Sequence, residues 1–261
     1  MGSDLPLEAS APWKCRAESY WMILQLQNPL PVDIYDQLEA EHPACTTAGF
    51  KGGYGMVMVV RYSDTPVGSY DELAIIPGNF NVKGGSLDGQ AKLRVTRIYV
   101  SQKDTTYNGR RNWNIPKHLA RFEFSAPPVA KGSSPPKQLT VSVYPPDSED
   151  ANAKPFFRAT FAPISYLPAF PLSTSYMPLD MTIVQPPIPA GEDSILCGTD
   201  KWVRFQTTFA TSRAYLMRAT NEDDYGKVKQ EGWWPRVKPW STGFWLEEAV
   251  LDVSTLEEEW S

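Results

Sequence analysis

The residue types that most often bind metals or act as nucleophiles are scarce in this sequence. His42 and His118 are the only histidines among 261 residues, so a three-histidine zinc site is impossible, and no His-Glu-x-x-His segment occurs. The three cysteines, Cys15, Cys45 and Cys197, are far apart and form no Cys-x-x-Cys pair. We therefore expect reduced thiols and no catalytic metal, although 30 acidic residues leave a mixed carboxylate site formally open.

Motifs for phosphate binding and acyl transfer are also missing. Neither Gly-x-Gly-x-x-Gly nor Gly-x-x-x-x-Gly-Lys-[Ser/Thr] is present, and no Gly-x-Ser-x-Gly turn offers a nucleophilic serine. The glycine-rich segment 51–55 lacks the spacing that places backbone amides around a phosphate. We interpret it as an ordinary turn before a strand, with a ligand loop as the alternative.

Two segments about forty residues apart carry a specific resemblance. They are Arg61-Tyr-Ser-Asp-Thr-Pro-Val-Gly-Ser-Tyr-Asp-Glu-Leu73 and Gly109-Arg-Arg-Asn-Trp-Asn-Ile-Pro-Lys-His-Leu-Ala120. Together they resemble the acetoacetate decarboxylase-like superfamily, which combines a Gly-Tyr-x-Glu strand with a Gly-Arg-x-x-x-x-x-Pro-Lys segment. The resemblance follows most of the chain in order, is strongest across Tyr54–Phe124, and includes the closing strand Phe244–Val253.

The resemblance implies that Lys117, one of 13 lysines, forms a Schiff base with a substrate ketone. In this family a neutral amine attacks the carbonyl, and the protonated imine accepts the electrons released when carbon dioxide leaves. A lysine of pKa about 10.4 is neutral in only about 0.04% of molecules at pH 7, whereas a pKa of about 6 makes about 90% neutral. The decarboxylases have a second lysine where this chain has His118, which supplies less charge. We therefore expect burial to lower the pKa of Lys117.

The resemblance also assigns a catalytic role to Glu72, which matches the family glutamate that approaches the reacting carbon or the departing carboxylate. A strand carboxylate paired with an arginine is its alternative. Two positions depart from the family pattern. The second family glutamate, fifteen positions earlier, corresponds to Val57, and the arginine that binds the substrate carboxylate aligns near Glu18. These departures argue against acetoacetate decarboxylation itself and leave imine chemistry on other carbonyl compounds open.

The remaining candidate residues flank the two segments. Arg110 and Arg111 follow Gly109 at the family's Gly-Arg step, and we expect one of them to form a structural ion pair and the other to face the cavity. Aromatic side chains beside the motifs are candidate pocket walls, with core packing as the alternative. The predicted substrate-binding residues are Arg110, Trp113, Tyr70, His118 and Val57.

Strand patterns dominate the elements that must position these residues. Asp33–Glu41 predicts a helix with Asp33 as its N-cap, and the less regular alternation in Lys92–Ser101 predicts a bulge. Nine apolar segments separated by Pro, Gly, Asn and Asp predict strands at Ser19–Gln27, Tyr54–Tyr62, Tyr70–Ile76, Lys92–Ser101, Ala120–Ser125, Gln138–Tyr144, Phe156–Phe161, Trp202–Leu216 and Phe244–Val253.

Several segments predict irregular structure. Residues 127–137 and 144–155 are loop-like, and residues 163–189 hold seven prolines, which predicts an irregular arm or cover. The tryptophan-rich loop 232–240 could cap a cavity, but we favour a subunit contact. The acidic tail 256–261 is expected to fray.

Composition is typical of one globular domain spanning residues 1–261. Hydrophobic residues make up 42% of the chain, enough for a core, and 24 prolines argue against a helical bundle. A net charge of −5 without basic clusters argues against nucleic acid and anionic membranes as partners. No secretion signal and no apolar run of 18 residues occurs, so we expect a cytoplasmic protein.

The family fold is a cone-like, mainly antiparallel β-barrel with a few short helices, and the strand pattern is compatible with it. The resemblance implies a homo-oligomeric, cofactor-free enzyme of secondary metabolism that acts on a keto or β-keto compound through Lys117, as a decarboxylase, aldolase-type lyase or dehydratase. Two alternatives stay open. One is a non-covalent cyclase or isomerase of the pericyclase type in the same cavity, and the other is a small-molecule binding protein without turnover.

Overall fold

A computed structural model of the chain describes residues 5–148, 153–177, 180–221 and 232–261. The strands are β1 (Trp13–Leu24), β2 (Phe50–Gly52), β3 (Gly55–Asp64), β4 (Tyr70–Ile76), β5 (Asn79–Asn81), β6 (Ala91–Leu93), β7 (Arg97–Val100), β8 (Lys117–Leu119), β9 (Arg121–Phe124), β10 (Leu139–Tyr144), β11 (Phe157–Pro163), β12 (Phe170–Ser173), β13 (Thr182–Gln185), β14 (Trp202–Asn221), β15 (Thr242–Val253) and β16 (Glu258–Trp260). The helices are α1 (Gln37–Ala40), α2 (Lys103–Trp113) and a short 3-10 helix (Thr174–Tyr176). Within these ranges, every helix is too short or too polar to cross a membrane.

One continuous hydrogen-bonded sheet connects the strands. Its main path runs β2-β5-β6-β13-β14-β15-β1-β3-β4-β7-β8, and the remaining strands join through β10, β11 and β14. The pairs are antiparallel except β7 with β8 and β6 with β13. The mainly β class is confirmed, but the sheet is not closed into a barrel within the described residues. The strands at the two ends of the path, β2 and β8, have only three residues each and do not pair with one another.

Alternating side chains on β1, β3 and β4 build two apolar clusters, one on each face of the sheet. In β3, Met58 and Tyr62 belong to one cluster, and Val57 and Val59 belong to the other. We call these sides the Met58 face and the Val57 face. The register pairs Val60 of β3 with Glu72 of β4, so Glu72 points to the Met58 face.

The unit β7–α2–β8 contains a helix that the sequence pattern did not predict. Parallel pairing of β7 with β8 requires a crossover connection, which α2 supplies. The helix follows Gln102, whose side chain accepts a hydrogen bond from the Thr105 backbone N–H at 3.3 Å, and it ends at Asn114 in the left-handed conformation. These caps and Asp104 in the first turn are visible in the sequence, but few apolar residues mark a helical period.

The predicted elements are shifted in two other places. The predicted strand Lys92–Ser101 is interrupted between β6 and β7, because the backbone of Val95 hydrogen-bonds the side chain of Gln185 at 3.0 Å in both directions. The predicted helix Asp33–Glu41 is wrong in extent. It shortens to the four residues of α1, and its N-cap is Asp36, whose side chain makes no capping hydrogen bond.

The C-terminal half is more ordered than its composition predicted. Residues 163–189 are not only an irregular arm, since β12 and β13 both pair with β14. Pro171 is tolerated because β12 is an edge strand. The prediction of a frayed tail is wrong, because β16 also pairs with β14. There Trp260 stacks on Trp202 with centroids 6.2 Å apart and donates a hydrogen bond to the Lys83 carbonyl.

The tryptophan-rich loop contributes to the core of its own chain. Trp233 stacks on Phe156 with centroids 5.3 Å apart, and Trp234 packs on Phe157 at 4.7 Å. Trp240 is 47% exposed. A subunit contact through this loop therefore stays a prediction that depends on Trp240.

Candidate active site

Lys117 is a buried lysine with three oxygen partners. β8 places it beside Ile98 of β7, and only 4% of its surface is exposed. Its Nζ donates hydrogen bonds to Glu72 Oε2 at 2.9 Å, Thr105 Oγ1 at 3.0 Å and the Tyr70 hydroxyl at 3.4 Å. Strand β4, which carries Glu72 and Tyr70, and helix α2, which carries Thr105, thus converge on one nitrogen.

A pair of stacked tyrosines supports the carboxylate. The Tyr62 hydroxyl donates to Glu72 Oε1 at 3.3 Å. Its ring stacks on Tyr70 with centroids 4.4 Å apart. Both oxygens of Glu72 are therefore held, one by a tyrosine and one by the amine.

Helix α2 passes against the stem of Lys117 at Gly109. A Cβ atom added at Gly109 would lie 2.6 Å from Lys117 Cδ and 2.8 Å from Cε, far closer than two carbons pack. Glycine at this position therefore lets the lysine stem run past the helix. This contact gives a physical reason for the glycine in the Gly-Arg-x-x-x-x-x-Pro-Lys segment.

The charge of Lys117 is opposite to the sequence-based expectation. Burial lowers the pKa of the ammonium, but the Glu72 carboxylate and the Tyr70 hydroxyl raise it by more, so the pKa lies above its ordinary value. The expected lowering is wrong for this resting state, because the sequence did not reveal that a carboxylate touches the amine. At neutral pH the site holds an ammonium–carboxylate pair at 2.9 Å.

A cavity of about 80 Å³ lies beside this pair. Within the described part of the chain, Lys117 and Glu72 are the only charged residues that line it. The walls are apolar, and their larger members are Trp13, Met56, Met58, Trp113, Met181 and Phe205. Cys15 also lines the cavity, and burial raises the pKa of its thiol to about 12, so it stays protonated. The amine is thus at the wall of a mainly apolar cavity.

A wider polar hollow of about 680 Å³ lies beyond the tyrosine pair. Tyr62 and Tyr70 line both hollows and separate them. The outer hollow holds charges of both signs, from Arg16, Glu18, Arg61, Asp71, Lys131 and Glu248. Cations are therefore present near the site, but outside its apolar interior.

Two predicted positions lie away from the amine. Val57, a predicted substrate-binding residue, belongs to the cluster on the Val57 face and lies outside the lining of the Lys117 cavity. The carboxylate of Glu18 accepts hydrogen bonds from Trp245 Nε1 at 2.7 Å and from the Val129 backbone at 3.1 Å. Because side chains alternate between the two faces of a strand, Glu18 of β1 and Val57 of β3 both point away from the Lys117 cavity.

Arg110 and His118 also face away from the cavity and lie outside its lining, so the structure does not bring these two predicted substrate-binding residues to the amine. Both contact the fully buried carboxylate of Glu39, Arg110 Nη1 at 2.7 Å and His118 Nε2 at 2.7 Å. The other Arg110 donors bind the backbone carbonyls of Cys197 and Pro189. His118 follows Lys117 in an extended strand, which turns the two side chains to opposite sides.

The cluster around Glu39 is an ion-pair network. Asp36, Glu39 and His118 bring ligand-type atoms within 4.8 Å of one another. However, Arg110 and His118 already engage both oxygens of Glu39, and Arg97 contacts Asp36 at 3.4 Å. The guanidinium groups of Arg110 and Arg97 compensate the two carboxylates, which leaves the cluster poorly suited to a metal ion.

The structure brings Lys117, Glu72, Tyr70 and Trp113 together around one cavity. The ring of Trp113 meets Trp13 edge-on with centroids 5.3 Å apart. Sequence reasoning missed the oxygen partners Thr105 and Tyr62. Thr105 could be predicted only if helix α2 had been recognised. Tyr62 could be predicted from the pairing of β3 with β4, because that register places it opposite Tyr70.

No protein-family model matches this sequence, and no curated protein matches it. Several solved structures share its fold. Acetoacetate decarboxylase from Legionella pneumophila subsp. pneumophila str. Philadelphia 1 has a TM-score of 0.58 at 13% identity, over 99% of this chain and 93% of that chain. An acetoacetate decarboxylase-like enzyme from Sphingomonas wittichii RW1 has a TM-score of 0.58 at 10% identity, over 96% and 94%.

A third structure carries a ligand. The enduracididine biosynthesis enzyme MppR, complexed with the condensation product of pyruvate and imidazole 4-carboxaldehyde, has a TM-score of 0.55 at 12% identity, over 99% of this chain and 97% of that chain. At such identities the likeness establishes the fold, and the resemblance seen in the sequence is confirmed at that level.

Proposed function

We propose that this chain, which has the acetoacetate decarboxylase-like fold, is an enzyme that acts on a carbonyl compound through a Schiff base on Lys117. The observation that carries the proposal is a buried amine at the wall of an apolar cavity, 2.9 Å from the carboxylate of Glu72. The neighbours of the same fold include a decarboxylase and an enzyme bound to a condensation product, which supports carbonyl chemistry in this scaffold.

The first step is proton transfer within the resting pair. An uncharged carbonyl compound that fills the cavity deepens the burial of the ammonium and the carboxylate, which favours the neutral forms of both. The proton then moves from Lys117 Nζ to Glu72 Oε2 along their hydrogen bond. The result is a nucleophilic amine and a carboxylic acid in one place.

Imine formation then uses both groups. The Lys117 nitrogen lone pair forms the C–N bond, the carbonyl electrons move to oxygen, and a proton shifts from nitrogen to that oxygen. Glu72 next donates its proton to the carbinolamine hydroxyl, which leaves as water, so the products are a protonated imine and the Glu72 carboxylate. Hydrogen bonds from Tyr62 to Glu72, and from Nζ to Tyr70 and Thr105, fix the geometry of these transfers.

Borohydride trapping tests the proposal. The purified protein is incubated with a panel of small ketones and aldehydes and with sodium borohydride, and the adduct is located by peptide mass spectrometry. We expect reduction of the imine at Lys117 and no adduct in Lys117→Met, whereas Lys14→Met, which alters an exposed lysine, keeps it. A wild-type protein without an adduct, or an adduct on another lysine, overturns the covalent function.

The resting charge of Lys117 favours one second candidate, a non-covalent cyclase or isomerase. An ammonium can donate a hydrogen bond to a substrate carbonyl while Glu72 accepts a proton from carbon, without any covalent bond to the protein. Turnover that survives in Lys117→Arg without any trapped adduct would support this candidate.

A further inference from the structure

From the charges around Lys117 we infer that the substrate is an uncharged, mainly apolar ketone or aldehyde without a carboxylate group. This inference rests on the proposed imine function and specifies its substrate class. It separates this site from one that binds a keto acid.

The charge balance of the cavity carries the inference. In the described part of its lining, the one ammonium of Lys117 is already compensated by the one carboxylate of Glu72. A substrate carboxylate would therefore enter an apolar hollow with no second cation and would lie near a like charge. An ionised group buried without a partner is strongly disfavoured.

The arginines near the site either bind other groups or line the outer hollow. Arg110 is paired with Glu39, on the other side of β8. The guanidinium of Arg61 lies 4.0 Å over the ring of Phe124 and donates to the Ala126 carbonyl at 3.0 Å. Both Arg61 and Arg16 line the outer hollow and not the cavity. An arginine clamp for a carboxylate would require Arg110 to cross β8, or Arg61 or Arg16 to cross the tyrosine pair.

The size and walls of the cavity agree with a short apolar chain. A dry cavity of about 150 Å³ holds benzene. The Lys117 cavity of about 80 Å³ is roughly half that size, which suits a short-chain carbonyl compound. Three flexible methionines, Met56, Met58 and Met181, can adapt the walls to a branched substrate.

The inferred substrate class limits the reactions that the protonated imine can undergo. Without a carboxylate there is no carbon dioxide to lose, so the electrons that the protonated imine accepts must come from a C–H or C–C bond beside it. The Glu72 carboxylate can take the α-proton, and the C–H electrons then give a neutral enamine. Expulsion of a β-hydroxyl, which takes that proton and leaves as water, makes a dehydratase. If the Glu72 carboxylate instead takes the proton of a β-hydroxyl, the β-carbon becomes the carbonyl of a departing aldehyde or ketone. The electrons of the bond between the α- and β-carbons then move to the imine and give the enamine, which is the reaction of an aldolase-type lyase.

Matched pairs of carbonyl compounds test the inference. Pyruvate is compared with 3-methyl-2-butanone, and glyoxylate with 2-methylpropanal, because an isopropyl group replaces the carboxylate in each pair and no compound has more non-hydrogen atoms than benzene. Borohydride trapping at Lys117 is measured for each compound and normalised to its trapping rate with Nα-acetyllysine. We expect the neutral member of each pair to react at least tenfold faster than its acid.

A cavity variant supplies the converse test. Met181→Arg adds a cation to the lining and should raise normalised trapping of the acids at least tenfold relative to Met181→Gln, which adds an uncharged side chain of similar length. If the wild type traps the acids as fast as the neutral compounds, the inference about the substrate is wrong and the proposed imine function stands. If no compound of either class is trapped, the proposed function fails, and the inference fails with it.

Discussion

At the nitrogen of Lys117, two opposing influences act on one proton. Burial favours the neutral amine, whereas Glu72 at 2.9 Å favours the ammonium, and the carboxylate dominates. The charge of this lysine is therefore a property of the pair.

The pair predicts a pH-dependent contribution to stability. In Lys117→Met the Glu72 carboxylate stays buried without its partner, so we expect a loss of about 3–5 kcal/mol in the free energy of unfolding at pH 7. The folded-state pKa of Lys117 is raised above its unfolded value of about 10.4. The stabilisation is thus fully present below about pH 10.4 and is lost as the pH rises through the folded-state pKa.

Urea unfolding of the wild type and of Lys117→Met at neutral and strongly alkaline pH measures this difference. Lys14→Met, which alters an exposed lysine, serves as the control and should match the wild type at both pH values. A Lys117→Met difference that stays constant or grows with pH would contradict a charged resting pair.

Residue identities at the site were largely predictable, but their interactions were not. Lys117, Glu72, Tyr70 and Trp113 were named from two motifs, and all four line the cavity. The predicted low pKa of Lys117 failed, since a sequence gives no distance between residues 45 positions apart. Arg110 sits in the right motif yet turns to Glu39, because the helix that orients it was not recognised.

At the scale of elements, the crossover β7–α2–β8 determines the position of the amine. Strands were predictable because β3 and β4 are short, nearly continuous apolar runs, and the predicted limits of β4 agree with the structure. The polar helix α2 was not, although it contributes Thr105 and the glycine that lets Lys117 pass. A parallel pair of strands joined through a helix also cannot be recognised from the pattern of either strand.

The substitution Gly109→Ala should disturb the geometry of the site without loss of helix stability. Alanine favours a helix over glycine by about 1 kcal/mol. The added Cβ, however, would lie 2.6 Å from Lys117 Cδ and must displace the lysine stem. We expect at least a tenfold slower borohydride trapping, with a melting temperature within a few degrees of the wild type. Arg111→Ala, at an exposed position of the same helix, is the control and should keep the trapping rate.

For the whole molecule, the long strand β14 joins the C-terminal tail to the main sheet. Trp260 of β16 rests on Gly84 and Gly85, where added Cβ atoms would lie 3.0 Å and 2.9 Å from its ring. Its indole also stacks on Trp202 and bonds the Lys83 carbonyl at 2.9 Å. The C-terminal tail therefore connects the turn at Gly84 and Gly85, between β5 and β6, to β14.

Trp260→Ala tests this long-range contact. We expect it to lower the free energy of unfolding by about 1–2 kcal/mol, because the half-buried ring loses part of the burial energy of a full aromatic side chain. The matched change Trp240→Ala, at a side chain 47% exposed, should cost about 0.5 kcal/mol or less. Equal effects of the two substitutions in a denaturant titration would argue for a frayed tail.

The two faces of strands β1, β3 and β4 have a consequence for how such proteins diverge. Both faces carry large buried apolar clusters, but the side chains that line the Lys117 cavity project from the Met58 face. Selection can therefore replace methionines and aromatics of one side while the packing of the other is preserved. Under the proposed function, the exchange of a few of these side chains would change which carbonyl compound is accepted, while Lys117 and Glu72 stay in place.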